Sequence, residues 1–265
     1  MRMALVGLMG AGLLPLLVAL RANRATSLAH ALVWTLVAWL SWAAVFLLSD
    51  LSSELNPWRF CALALTGAAG VAVLGARRPY VLAWNFVVLG LLAVILLPLV
   101  ESLVIGIDPI DTLRIFFLTA TIGVGICNYL PTRLGPAALV LAAACAGQIV
   151  VLFAPSWLNG MEQAALFDGT LASVPWIAWL GFWRRRPALS EFDRLWLSFR
   201  DRWGLLWSQR VREQFNQAAQ NAGWPVLLYW QGLVMNKTTL TPVDENKLVE
   251  TLRAVLQRFI EADQG

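Results

Sequence analysis

Seven apolar runs, separated by polar loops that alternate in charge, fill the first 183 residues and leave few folds open. Every acid in this region falls in one of three loops: Asp50 and Glu54, then Glu101, Asp108 and Asp111, then Glu162 and Asp168. Acid-free loops carry Arg21/Arg24, Arg77/Arg78, Arg133 and Arg184/Arg185/Arg186 in between. A helix rises 1.5 Å per residue, so crossing a bilayer takes about 20 apolar residues. Six runs meet that length: 3–20, 28–48, 60–76, 80–100, 115–130 with some extension, and 135–153. The seventh, 170–183, is shorter and contains Pro175, but it ends on Trp183 before three arginines, as a cytoplasmic boundary should. A full crossing counted back from Trp183 begins near Ala164 and takes in Asp168.

Composition supports a bilayer as the solvent: 59% of the 265 residues are hydrophobic and 14% charged, where soluble domains sit near half and a quarter. Lys and Arg in short loops favour the cytoplasm. Five arginines in the acid-free loops and three opening the tail, against Arg59 and Arg114 in the acidic loops, place the N-terminus outside and the C-terminus inside. The expected architecture is all-α: a polytopic bundle of about seven spans over residues 1–183, then a small, mainly helical cytoplasmic domain over 184–265. Eighteen Arg against two Lys suit a GC-rich prokaryote and its inner membrane. A cleavable signal peptide is the rival reading of the first run; Arg21 and Arg24 after its apolar core argue against it. The net charge of +4 does not indicate nucleic acid, because most of the tail's excess is the 184–186 cluster at a span end. Cys61, Cys127 and Cys145 lie inside apolar runs without metal spacing and read as structural thiols.

Ionisable groups within a span mark ion or proton routes. His30 is the one such group in the clean runs, near the cytoplasmic end of the second, where packing is the plainer role. Asn85, Asn128 and Gln148 lie in the fourth, fifth and sixth runs, and with Asp168 they form a candidate polar path; hydrogen bonding between helices is the structural alternative. Asp108, Asp111, Glu162 and Asp168 are either a cation-binding vestibule, a metal site, or solvated loops that keep the topology correct. Small residues at Ala64/Ala68/Ala72/Ala76, Ala138/Ala142/Ala146 and Thr119/Gly123/Cys127 predict ridges for close helix contact. Trp34, Trp39 and Trp42 in the second run read as packing.

In the tail, Ser190 and Asp193 resemble a capping box that opens a helix running to Ala222, with Gly223 ending it. One face carries Phe192, Trp196, Phe199, Trp203, Trp207, Val211, Phe215 and Ala218, with Arg194, Arg200, Arg202, Arg210 and Arg212 outside it. The stripe Trp196/Phe199/Trp203/Trp207 faces either the membrane or a partner, or packs as the tail's own core. Residues 224–233 are too short to span and are left as strand, inserted turn or core segment. Thr241 as N-cap and Pro242 open a last amphipathic helix with Leu248, Val249, Leu252, Val255, Leu256, Phe259 and Ile260 on one side. Asn236-Lys237-Thr238, formally a glycosylation sequon, is read as a loop.

No Walker loop, GxSxG elbow, HExxH helix or paired haem histidines are present, so no catalytic, metal or cofactor residue is assigned. The leading expectation is a non-enzymatic inner-membrane scaffold whose cytoplasmic module binds a protein partner or self-associates. A transporter or channel with an acidic outer vestibule is the alternative, and a metal-dependent membrane enzyme the third. The lipid bilayer is the expected surrounding in each case.

Overall fold

The computed structural model describes residues 2–48, 56–76, 81–105, 112–154, 156, 161–183, 190–235 and 242–259. The fold is predominantly helical. Its elements are α1 (Arg2–Ala11), α2 (Leu13–Ala22), α3 (Leu28–Leu48), α4 (Asn56–Ala72) with a 3₁₀ turn at Val73–Gly75, and α5 (Val81–Ile105). Then come α6 (Thr112–Tyr129), α7 (Gly135–Phe153), α8 (Met161–Trp183), α9 (Glu191–Asn221), β1 (Val226–Tyr229), β2 (Gly232–Met235), and α10 (Pro242–Leu256) with a 3₁₀ turn at Gln257–Phe259.

Six helical stretches are long and apolar enough to cross a membrane: Ala4–Ala22, Leu28–Leu47, Pro57–Gly75, Thr112–Tyr129, Gly135–Phe153 and Gln163–Trp183. α5 adds a further apolar helix, with Ala83–Leu97 as its described apolar stretch. The first stretch breaks between α1 and α2 because Pro15 has no N–H for the Ala11 carbonyl. α8 is continuous through Pro175, so the short seventh run is the end of a 23-residue helix, and Asp168 lies within it. Arg59 requires a correction: it stands in the first turn of α4, where the charge pattern alone had put it in a loop.

α4 packs against α3, α5, α6 and α7, while α8 closes the circuit by contacting α7, α1 and α2. The apolar span of α4 is 56% buried, more than any other of the six, which explains its wealth of small residues. Ala64, Ala68, Ala72 and Ala76 are all buried, as the ridge predicted. The α6 ridge was misplaced. Thr119 and Cys127 are exposed and Gly123 has open space around it. The buried face is instead Leu118, Thr121, Ile122, Gly125 and Asn128, about two residues along and so roughly opposite. Backbone proximity selected it: a Cβ on Gly125 would lie 2.7 Å from the Gly70 Cα. On α7 the predicted ridge is half right, for Ala138 is buried but Ala146 is exposed. Gly147 supplies the real contact, beneath the Phe167 ring of α8. The three tryptophans of α3 tie it to three neighbours: Trp34 Nε1 donates to Asn85 Oδ1, Trp39 Nε1 to the Met9 carbonyl, and Trp42 Nε1 to Thr66 Oγ1.

The tail builds its core from its own stripe. Trp196, Phe199, Trp203 and Trp207 are all buried, along with Phe192, Val211, Phe215 and, in place of Ala218, Ala219. Leu248, Val249, Leu252, Leu256 and Phe259 face them, and the Phe259 ring meets Phe199, Trp203 and Trp207 edge-on. Arg200 is also buried, against expectation, held by Asp201 and by the Trp230 carbonyl. Ser190 caps α9 by accepting from the Asp193 N–H at 3.1 Å, while the Asp193 carboxylate accepts from the Leu233 N–H at 2.9 Å. Gly223, at φ +69°, ends α9 as expected. Residues 226–235 are an antiparallel hairpin in which Leu227 pairs with Val234 and Tyr229 with Gly232, so the fold is not purely helical. Thr241, Ile260 and residues 236–238 lie outside the described residues.

The contact between Gly70 and Gly125 distinguishes the two faces of α6. Gly125→Leu should cost about 1–3 kcal/mol by overpacking backbone that has no side chain to yield. Gly123→Leu, pointing into open space, should leave thermal unfolding of the detergent-solubilised protein unchanged.

Candidate functional site: a buried charge triad and a latched tail

Three helices bring polar side chains together at the bundle end far from the tail. Arg59 of α4 forms an ion pair with Asp168 of α8, Nη1 to Oδ1 at 3.1 Å and Nη2 to Oδ2 at 3.4 Å. Gln148 of α7 closes the ring: its Oε1 accepts from Arg59 Nη1 and its Nε2 donates to Asp168 Oδ1 at 2.7 Å. Gln148 is wholly buried, and the Arg59 and Asp168 side chains are 10% and 13% exposed. Local sequence explains each placement. Arg59 is the one charged residue of α4, in its first turn, Gln148 follows the Gly147 contact with Phe167, and Asp168 is the next residue after that ring. A charge left alone here would be costly, whereas a carboxylate with an amide and a guanidinium around it is satisfied in place. The arrangement joins α4, α7 and α8 through one set of charge-assisted hydrogen bonds.

Of the four residues considered for a polar path, Gln148 and Asp168 are therefore joined, while Asn85 and Asn128 are elsewhere. Asn85 accepts from Trp34 and its Nδ2 lies 3.4 Å from His30 Nδ1, linking α5 to α3. Glu101 pairs with Arg114 across α5 and α6 at 3.0 Å. Asp50, Glu54, Asp108 and Asp111 lie outside the described residues. Among the described residues no three His, Cys, Asp or Glu side chains are grouped closely enough to hold a metal ion.

Asn128 does something the sequence reading missed. α9 breaks at Gly204, whose φ of 78° and ψ of −165° are open to glycine and strained for other residues. In an unbroken helix the Leu206 N–H would reach the Arg202 carbonyl and the Trp207 N–H the Trp203 carbonyl. Here the end of α6 serves three of these four groups. Asn128 Oδ1 accepts from the Leu206 N–H at 3.0 Å, Asn128 Nδ2 donates to the Trp203 carbonyl at 3.3 Å, and Tyr129 Oη donates to the Arg202 carbonyl at 3.0 Å. Gly204 has no Cβ because the Asn128 side chain fills that space.

Further bonds fasten the tail to the same end. Trp207 Nε1 donates to the Val73 carbonyl, Trp230 Nε1 to the Pro131 carbonyl, and the Arg133 N–H to Asp201 Oδ1. Ser27 donates from its backbone N–H to the Phe259 carbonyl and from its hydroxyl to the Ala76 and Phe259 carbonyls. One continuous apolar cluster runs from Ala68, Ala72 and Val88 in the bundle through Trp196, Trp203 and Trp207 to Leu252. The signal that could have exposed the latch is Gly204 itself, a helix-weakening residue in the middle of an aromatic stripe. No family model matches the chain, and neither the curated proteins nor the solved structures yield a match.

Breaking one member of the triad should hurt more than removing all of it. Arg59→Met should cost about 3–5 kcal/mol by stranding the Asp168 charge, and the triple Arg59→Met/Gln148→Leu/Asp168→Leu should be more stable than that single variant, by thermal unfolding in detergent. Asn128→Leu strands the α9 backbone groups, so it should speed limited proteolysis of residues 190–235 while the spans stay protected.

Proposed function

We propose that the chain is a non-enzymatic inner-membrane scaffold. Seven spans, with the N-terminus outside and the C-terminus inside, would hold a rigid cytoplasmic platform for a protein partner or a second copy. The observation that carries this reading is the latch. An aromatic stripe that could have been a free amphipathic surface is turned inward and fastened to the bundle, and α9 and α10 turn a largely polar face outward. Arg194, Arg202, Arg210, Glu213, Gln214 and Gln217 are exposed on α9, with Lys247 and Glu250 on α10. Exposed polar residues on a fixed frame suit recognition without loss of ordering entropy. The topology is supported by the meeting of residues 23–27, 73–76 and 130–134 at the tail end, which puts Arg24 and Arg133 on one side.

A transporter is the second reading, favoured by one observation: the Arg59–Asp168 ion pair, braced by Gln148, is buried among spans. Photocrosslinkers placed at Gln214, Gln217 and Glu250 in native membranes should give one discrete protein adduct that Phe86, 76% exposed on α5, does not give. Selective ion flux by the wild type in proteoliposomes, abolished by Gln148→Leu with the tail still latched, would replace the scaffold by a transporter.

A further inference from the structure

The outer face of the β1–β2 hairpin is the feature that neither the bundle nor the tail core uses. Leu227, Tyr229 and Val234 are 51%, 48% and 53% exposed. Leu227 and Val234 are cross-strand partners, and Tyr229 lies two residues along on the same face. Val226 and Leu228, which alternate with them, are buried toward α9. Side chains of α9 occupy three of the outward backbone groups to which another strand would add. Asn216 takes both backbone groups of Leu228, donating from Nδ2 to its carbonyl at 3.1 Å and accepting its N–H at 2.7 Å, and Asp193 takes the Leu233 N–H. Strand addition at Leu228 and Leu233 would have to displace these bonds, which favours an occupant that covers the face.

The position of the turn decides which occupant fits. Trp230 Nε1 donates to the Pro131 carbonyl at 2.9 Å, and Arg200 holds the Trp230 carbonyl at 2.8 Å with its guanidinium over the ring. Residues 130–134 join two of the apolar spans, so the turn sits where spans emerge. The end of α8 reaches the same loop: a Cβ on Gly181 would lie 3.0 Å from the Arg133 carbonyl. Its Phe182 and Trp183 are 45% and 73% exposed beside it. Tyr and Trp at this level form the aromatic belt of a membrane protein, with apolar bodies among acyl chains and polar tips among headgroups.

We propose that Leu227, Tyr229 and Val234 are a lipid-facing surface, by which the hairpin dips into the headgroup region of the leaflet on the tail side. The inference rests on the bundle spanning a bilayer, and a control separates the two. The full chain, with Cys61, Cys127 and Cys145 replaced by Ala, carries a single fluorophore at Tyr229→Cys, Val234→Cys, Gln214→Cys or Phe86→Cys. It is reconstituted in phosphatidylethanolamine–phosphatidylglycerol vesicles, with brominated acyl chains or iodide as quencher. Positions 229 and 234 should be quenched by bromolipid several-fold more than position 214 and shielded from iodide. Quenching at 86 with iodide access at 229 and 234 equal to that at 214 overturns the proposal; no bromolipid quenching at 86 overturns the spanning bundle instead. A photoreactive phospholipid applied to the wild-type chain supplies the variant-free measurement. Adducts should map to residues 226–235 as well as to Trp183, and adducts at Trp183 alone would count against the membrane as occupant.

Discussion

Backbone hydrogen bonds must be satisfied wherever water is excluded, and in this protein the requirement is met across two elements rather than within one. α9 opens at Gly204, and the Leu206 N–H and the Arg202 and Trp203 carbonyls are taken by Asn128 and Tyr129 at the end of α6. Neither half is satisfied without the other: α9 would hold unpaired carbonyls beside buried Trp203, and Asn128 would be a buried amide without partners. The orientation of the tail follows. With α9 fixed at its break, Trp207 meets Val73, the turn of the hairpin meets Pro131, and Phe259 is carried to Ser27.

α4 runs between two polar arrangements of different kinds. At one end Arg59 is neutralised by Asp168 and braced by Gln148; at the other the Val73 and Ala76 carbonyls receive Trp207 and Ser27. Between them α4 is lined with Ala and Gly, so its neighbours approach closely, and Gly70 touches Gly125 just above the latch. Packing of small residues is the main source of helix affinity in lipid, where the hydrophobic effect does not separate one apolar helix from another. The central helix is thus held in register at both of its ends.

What could be read in the sequence was local. Apolar runs, the Ser190 cap, the Gly223 stop and both tail stripes follow from spacing and side-chain chemistry within a few residues, and the structure has them. Arg59 was placed in a loop because a charge ends an apolar run in any window, and the Asp168 that neutralises it is 109 residues away, within the longer seventh crossing that the spacing allowed. Asn128 looked like any amide in a span, since the break it serves belongs to a helix 75 residues on. The α6 ridge failed for a related reason. Two small-residue faces existed, and only the partner glycine on α4 chose between them. Residues 224–233 were ambiguous because four-residue strands are too short for periodicity to show.

The central claim is that α6 completes the hydrogen bonding of a broken α9 and thereby locks the tail to the bundle. Amide hydrogen exchange of the wild-type chain in lipid nanodiscs tests it at one atom, the Leu206 N–H, which the Gly204 break removes from its helical acceptor. The account predicts that this amide is protected as strongly as those of Trp196 and Val211 inside the tail core. Exchange at Leu206 as fast as at an exposed loop amide, with Trp196 and Val211 still protected, would contradict it.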